Sequence, residues 1–240
     1  MKFKRFINKL SSTKHPLLAV LIDPDKFNPE LVRIANSCHV SCFLVGGSIL
    51  KNENIRQTVN IIKQLSAIPV ILFPGDETQL TPLADGLFLP SLVSGNNPEY
   101  LINKQIKMAP IIKRFNLPYI PMAYMLLQGN AVSSTQMVTN TMPLPTQHIN
   151  QIFNTALASQ MLGFKLIYLE AGSGAKKTVP SSLVKKIKSQ IKLPIIVGGG
   201  INNKQKVLRA LKTEANLIVI GNALEKNVSL LTEIDYLFKH

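Results

Sequence analysis

Two carboxylates and a set of glycines are the residues of this chain best suited to chemistry. Glu170 ends the apolar run 166–169, and Gly172-Ser173-Gly174 follows almost at once. A short apolar run bounded by glycine reads as a buried strand, here delivering a carboxylate at its C-terminal end. The glycines carry no side-chain bulk, so backbone N–H groups there can approach an anion closely. Two later apolar runs end the same way, in Gly198-Gly199-Gly200 and in Gly221-Asn222. One such turn shows only a tight connection. Three on successive strands, each with a helix after it, point to one phosphate cradled between neighbouring turns.

The second carboxylate is Asp23, in Asp23-Pro24-Asp25 at the end of the first apolar run, with Ser48 closing the second run after Gly46-Gly47. The Asp-Pro-Asp triplet reads equally well as a turn or helix cap. Opposite a phosphate cradle, however, an acidic residue suits a divalent cation that links it to a second phosphate. Mg²⁺ takes few protein oxygens and leaves the rest of its shell to water and substrate phosphate, so Asp23 with Ser48 is the metal candidate. Glu170 remains as general base toward a hydroxyl, with Mg²⁺ neutralising a leaving diphosphate. Other chemistries lack their parts. His15, His39, His148 and His240 sit in no Ser-His-Asp or Cys-His motif, and no strand ends in the lysine a Schiff base needs. Cys38 and Cys42 flank His39 without a second ligand cluster, which fits buried structural thiols better than zinc.

These groups need a scaffold that brings strand ends to one place. Apolar runs at 16–23, 42–47, 69–75, 86–92, 118–127, 166–171, 194–199 and 217–221 alternate with helical segments at 28–37, 53–66, 97–115, 147–162, 180–191, 203–213 and 223–239. Continuous rather than alternating apolar character fits parallel strands buried on both faces. The expected fold is a modified (β/α)8 TIM barrel forming one domain over 1–240. Its third helix is reduced, because only 76–85 separate two strands. A doubly wound open sheet is the competitor, but it places its glycine fingerprint after the first strand, not the last three. Residues 1–14 are expected as an N-terminal helix with Phe3, Phe6, Ile7 and Leu10 on one face. That face closes the barrel bottom or lies on a membrane surface. The polar stretch 128–146 reads as a long active-site loop.

Composition sets the partners. The chain has 240 residues, 46% hydrophobic and 17% charged, with a net charge of +14, which calls for anionic ligands. The basic residues fall on outer helices without interleaved aromatics, so solvated helix faces are expected and nucleic acid is not. No apolar run reaches the roughly 20 residues of a membrane span, and no secretory signal is visible; a cytoplasmic location is expected.

The motifs taken together, Ile22-Asp-Pro-Asp-Lys26, Val45-Gly-Gly-Ser48, Tyr168-Leu-Glu-Ala-Gly-Ser-Gly174, Val197-Gly-Gly-Gly-Ile201 and Ile220-Gly-Asn222, closely resemble the geranylgeranylglyceryl phosphate synthases and the related heptaprenylglyceryl phosphate synthases. The resemblance runs in order from about residue 17 to 226. It implies a Mg²⁺-dependent prenyltransferase joining sn-glycerol 1-phosphate to geranylgeranyl diphosphate, or another long prenyl diphosphate, through an ether bond. By that resemblance Asp23 and Ser48 bind Mg²⁺. Tyr168, Leu169, Glu170, Ala171, Gly172, Ser173, Gly174, Gly199, Gly200, Gly221 and Asn222 bind glycerol 1-phosphate, with Glu170 and Tyr168 catalytic. A homo-oligomer, dimer or hexamer, is also implied. The bacterial heptaprenyl branch has a lysine two residues before the metal aspartate; Leu21 stands here, so the chain looks like the archaeal-type second group. Charge for the diphosphate must then come from elsewhere, Lys26 being a candidate. For the prenyl tail, Leu87, Phe88, Leu89, Tyr119, Ile120, Met122, Tyr124 and Met125 are candidates, half of which should face outward. The basic surface suits peripheral contact with an anionic membrane. The alternatives are another phosphate-binding barrel acting on sugar phosphates, or a non-catalytic binder of phospholigands or nucleic acid.

Overall fold

The computed structural model of the chain describes residues 2–51, 55–130 and 132–239. Helix α1 (Lys2–Ser12) precedes strand β1 (Leu17–Ile22). The chain continues through α2 (Pro29–Ala35), β2 (Val40–Val45), α3 (Ile55–Leu65), β3 (Val70–Leu72), β4 (Gly86–Leu92), α4 (Lys104–Phe115) and β5 (Tyr119–Leu126). Then come α5 (Ser134–Thr139), α6 (Ile149–Met161), β6 (Leu166–Glu170), α7 (Ser181–Lys188), β7 (Ile195–Gly198), α8 (Lys204–Leu211), β8 (Leu217–Ile220), α9 (Asn222–Lys226) and α10 (Ser229–Asp235). The strands pair in sequence order, all parallel, and β8 returns to β1 to close the (β/α)8 barrel. The expected fold is present, including the third connection, where a single 3₁₀ turn at Glu77–Gln79 replaces a helix.

Strand parity divides the core in two. Leu17, Ala19, Cys42, Leu44, Ile71, Phe88, Met122, Tyr124, Leu166, Tyr168, Ile196 and Val219 fill the barrel interior. Their neighbours, such as Leu18, Val20, Phe43, Leu87, Met125, Ile167 and Val197, pack outward against the helices. Helix α1 closes the N-terminal end: Phe3, Phe6 and Leu10 join the interior cluster. Asn216 ties the helix down by donating to the Leu10 carbonyl at 3.1 Å. The apolar face a membrane would need is thus already inside the protein. Among the described residues no helix is long and apolar enough to cross a membrane.

Three elements differ from expectation. The stretch 128–146 contains α5, whose N-cap Ser133 accepts from the Gln136 N–H at 3.1 Å. Six residues are too few for a helical repeat to show in sequence, so the cap was its only signal. The helix expected over 97–115 opens with a wide π turn at Glu99–Asn103 before α4 begins. The expected 223–239 helix is broken at Asn227, which leaves helical geometry and accepts from both the N–H and the hydroxyl of Ser229, at 3.1 and 2.7 Å. That local hydrogen bonding competes with a continuous helix. The expected start of the 53–66 helix falls at residues outside those described.

Candidate active site

Parity decides what β6 presents. Tyr168 and Glu170 point into the barrel, while Leu169 and Ala171 pack in the outer layer and can offer only backbone. The Ala171 N–H is itself spent on the Gly198 carbonyl, at 3.0 Å. Glu170 is 8% exposed. One of its oxygens accepts from the Gly172 N–H at 2.7 Å, and the Tyr168 hydroxyl donates to it. Burial outweighs these two bonds and lifts the carboxyl from its ordinary value to about 7. A carboxylate poised there is suited to take a proton near neutral pH. Tyr168 is fixed by rings on two sides, Phe73 stacked at 5.4 Å and Tyr124 tilted at 5.2 Å between centroids. Burial holds the Tyr168 and Tyr124 phenols well above their usual range, so both stay protonated and can donate.

The three glycine turns meet. The Asn222 side-chain amide donates to the Ser173 hydroxyl at 2.5 Å, joining the turns after β6 and β8. Gly199 lies between them, against Glu170 and Gly172. Lys206 of α8 donates to the carbonyls of Gly200, at 2.8 Å, and Ala175, at 3.4 Å, stapling the β7 turn to the β6 turn. Lys206 belongs to the basic residues of the outer helices, for which a solvated face is expected, and nothing local in the sequence marks it otherwise.

At the mouth of the barrel after β1, Asp23 takes the capping role its triplet was open to. One oxygen caps the turn after β1 by accepting from the Asp25 N–H at 3.1 Å. The other accepts from Lys26 at 2.8 Å, and Glu225 of α9 lies 3.7 Å from the same ammonium. Lys26 is therefore engaged by two carboxylates. Ser48 lines the same cavity as Asp23. Its position depends on Gln79, a buried amide that grips Gly47 from both sides: the Gly47 N–H donates to it at 3.0 Å, and it donates to the Gly47 carbonyl at 2.8 Å. Gln79 and Glu225 were both missed, because their partners are remote in sequence. Among the described residues no three His, Cys, Asp or Glu side chains gather as a metal cluster. The two cysteines are unpaired, and burial raises both thiols.

One cavity of about 590 Å³ connects these groups, reaching Asp23, Ser48, Glu170, Ser173 and Asn222. That volume suits a small-molecule site. Its apolar wall is not the one expected. Of the eight tail candidates only Tyr124 lines it; Leu87, Leu89 and Met125 pack outward, and Tyr119 is exposed on the surface. Leu21, Phe73, Leu92, Met108 and Val138 supply the wall instead. Two of these come from helices, which strand-based reasoning did not consult.

A closed parallel barrel with glycine turns gathered over its last three strands and a buried carboxylate beneath them has the arrangement in which (β/α)8 enzymes carry a phosphate site. The PcrB family model matches residues 10–237, and the chain belongs to that family. It is 44% identical to the geranylgeranylglyceryl phosphate synthase of Zunongwangia profunda, over 91% of this chain and 95% of that protein. It is 39% identical to that of Pyrococcus abyssi, over 95% and 92%. The structure superposes with a TM-score of 0.89 on (S)-3-O-geranylgeranylglyceryl phosphate synthase from Thermoplasma acidophilum in complex with its substrate sn-glycerol-1-phosphate. That pair is 27% identical and covers 98% of this chain and 96% of the other.

Proposed function

We propose that this cavity joins sn-glycerol 1-phosphate to geranylgeranyl diphosphate, or another long prenyl diphosphate, through an ether bond. A prenyl-ether-forming reaction is the activity of the relatives above, and the observation here that carries it is Glu170. This buried carboxylate sits at near-neutral pKa beneath the three gathered turns and faces the same cavity as Asp23 and Ser48. The turns after β6, β7 and β8 hold the phosphate of glycerol 1-phosphate, with Ser173 and Asn222 already joined at its seat. Tyr168 and Glu170 then meet the glycerol hydroxyls. The attacking hydroxyl forms the new C–O bond to the first prenyl carbon as the carbon–diphosphate bond breaks. Its proton passes to Glu170, and diphosphate leaves with the bonding electron pair.

Asp23 and Ser48 offer two hard oxygens, and a cation that keeps most of its shell for water and phosphate needs few protein donors; Mg²⁺ fits that set. When bound there, it supplies charge neutralisation for the diphosphate. Asp23 also holds Lys26, so its carboxylate is shared between the turn, a lysine and the metal seat. Asp23→Asn keeps the cap but removes the charge. It is expected to lower kcat/KM by about 100-fold, since metal charge stabilisation is worth several kcal/mol. A Mg²⁺ titration of initial rates checks this, and an unchanged Mg²⁺ requirement at wild-type rate would remove Asp23 from the role.

The reading as a whole is tested by purified protein with Mg²⁺, sn-glycerol 1-phosphate and radiolabelled prenyl diphosphates of several lengths. An ether lipid should form with at least one. No product at any length would overturn it.

A further inference from the structure

The site as described lacks a free cation for a diphosphate. Three lysines line the cavity, Lys26, Lys51 and Lys104. Lys26 is held by Asp23 and Glu225. Lys51 is exposed to solvent. Lys104 is different: its side chain is only 15% exposed, yet among the described residues the nearest carboxylate is Asp76 at 3.9 Å. Hydrogen-bonded pairs elsewhere in the molecule close to 2.8–2.9 Å, as at Lys63–Asp85 and Lys107–Glu99. The ammonium rests 5.0 Å from the centre of the Tyr100 ring. A cation–π contact offsets only part of the cost of taking an ammonium out of water. A desolvated cation with a long, partial pairing and an open cavity beside it is short of an anion.

Topology says which anion. The gathered glycine turns stand over β6, β7 and β8, whereas Asp76 lies between β3 and β4, and Lys104 between β4 and β5. In an eight-strand ring these are opposite sides of the mouth. The π turn Glu99–Asn103 immediately precedes Lys104, whose N–H closes it by donating to the Glu99 carbonyl, and such turns recur at functional sites. Lys104 and Met108 are one helical turn apart, and both line the cavity. One face of α4 therefore offers an ammonium and, beside it, an apolar wall. That pattern matches an amphiphile with an anionic head and a hydrocarbon tail, not a second phosphomonoester.

We propose that Lys104 is the cation that receives the diphosphate of the prenyl substrate, on the wall opposite the glycerol phosphate turns. This rests on the proposed function and adds the head-group subsite to it. As the carbon–diphosphate bond breaks, the leaving group gains negative charge, and the Lys104 ammonium faces that charge.

The test is calorimetric titration of inorganic pyrophosphate into protein that is saturated with sn-glycerol 1-phosphate, with Mg²⁺ present, so that the opposite seat is already filled. Lys104→Met is expected to weaken pyrophosphate binding by about tenfold or more, as loss of a charge-assisted contact requires. Lys104→Arg should stay within a few-fold of wild type, and glycerol phosphate affinity should not move in either. Wild-type-like pyrophosphate binding in Lys104→Met overturns the assignment. So does no binding by the wild type, or equal loss of both ligands, which would mark a structural role. If no ether product forms with any prenyl diphosphate while Lys104→Met still loses pyrophosphate, the reaction assignment fails and the anion subsite stands. If product forms and pyrophosphate binding ignores Lys104, the reverse holds.

Discussion

Glu170→Gln is expected to lower turnover by about 10³-fold while leaving the affinity for glycerol phosphate within a few-fold of wild type. The amide keeps the shape of the side chain and an oxygen for the Gly172 N–H, which lies 2.7 Å from the native carboxylate. What it cannot do is accept a proton, and a positioned base is worth about 10²–10⁴ in rate. Single-turnover rates with both substrates bound would measure the step directly. A loss of less than about tenfold would mean that the proton leaves by another route.

The same residue sets a pH dependence. Burial raises the Glu170 carboxyl to about 7, and only the ionised form is a base. kcat/KM should therefore climb as pH rises toward 7 and level off above it, with that limb absent in Glu170→Gln. Stability runs the other way. The folded protein binds this proton more tightly than the unfolded chain, whose carboxyl titrates near the ordinary 4.5. Unfolding free energy attributable to this group is thus fully present below pH 4.5 and lost as pH rises through 7, a total of about 3 kcal/mol. Denaturant titrations at pH 5 and pH 8 should show wild type losing ground against Glu170→Gln at the higher pH. The buried base costs stability in the pH range where it works.

Much of this was legible before any coordinates. Apolar runs separated by helical segments and punctuated by proline and glycine specify strand and helix locally, and parallel strands with helical crossovers leave few ways to close. Glu170 stood out by its place at a strand end and the three glycine turns by their recurrence, whereas Tyr168 came in only with the family resemblance. The remainder depended on contacts between distant residues. Gln79 is an ordinary glutamine until Gly47, 32 positions away, is laid against it. Lys206 becomes a staple only when Ala175, 31 positions earlier, comes within reach. The tail wall differs for another reason: even the inward-facing Phe88 and Met122 lie in the barrel core and do not reach the cavity, and parity gives alternation but not phase. Nothing local said that Phe88 and Tyr124 face inward while Leu87 and Met125 face the helices. Lys104 carried no signal at all, since its environment is a π turn that the helical pattern hides.

Gly199→Ala is the variant expected to damage the site most for the smallest chemical change. A methyl group there would lie 2.2 Å from a Glu170 carboxylate oxygen, Oε1, and 2.6 Å from the Gly172 nitrogen. Those atoms are the two ends of the hydrogen bond that anchors the base, so the methyl must drive them apart. Gly199 also has φ +85°, a left-handed conformation that costs an L residue about 1–2 kcal/mol. Backbone strain and steric displacement can be separated, because Gly163 has φ +90° with nothing within 4 Å of where its Cβ would stand. Gly163→Ala should lose about 1 kcal/mol of stability and keep full turnover. Gly199→Ala should lose a similar amount or more, and in addition drop turnover by about 100-fold and weaken glycerol phosphate binding by about tenfold, because a misplaced base and a reshaped turn act together. Thermal unfolding, steady-state kinetics and glycerol phosphate titration on the pair would decide it. If the two variants behaved alike, the close packing of Gly199 against Glu170 would have no part in holding the catalytic geometry.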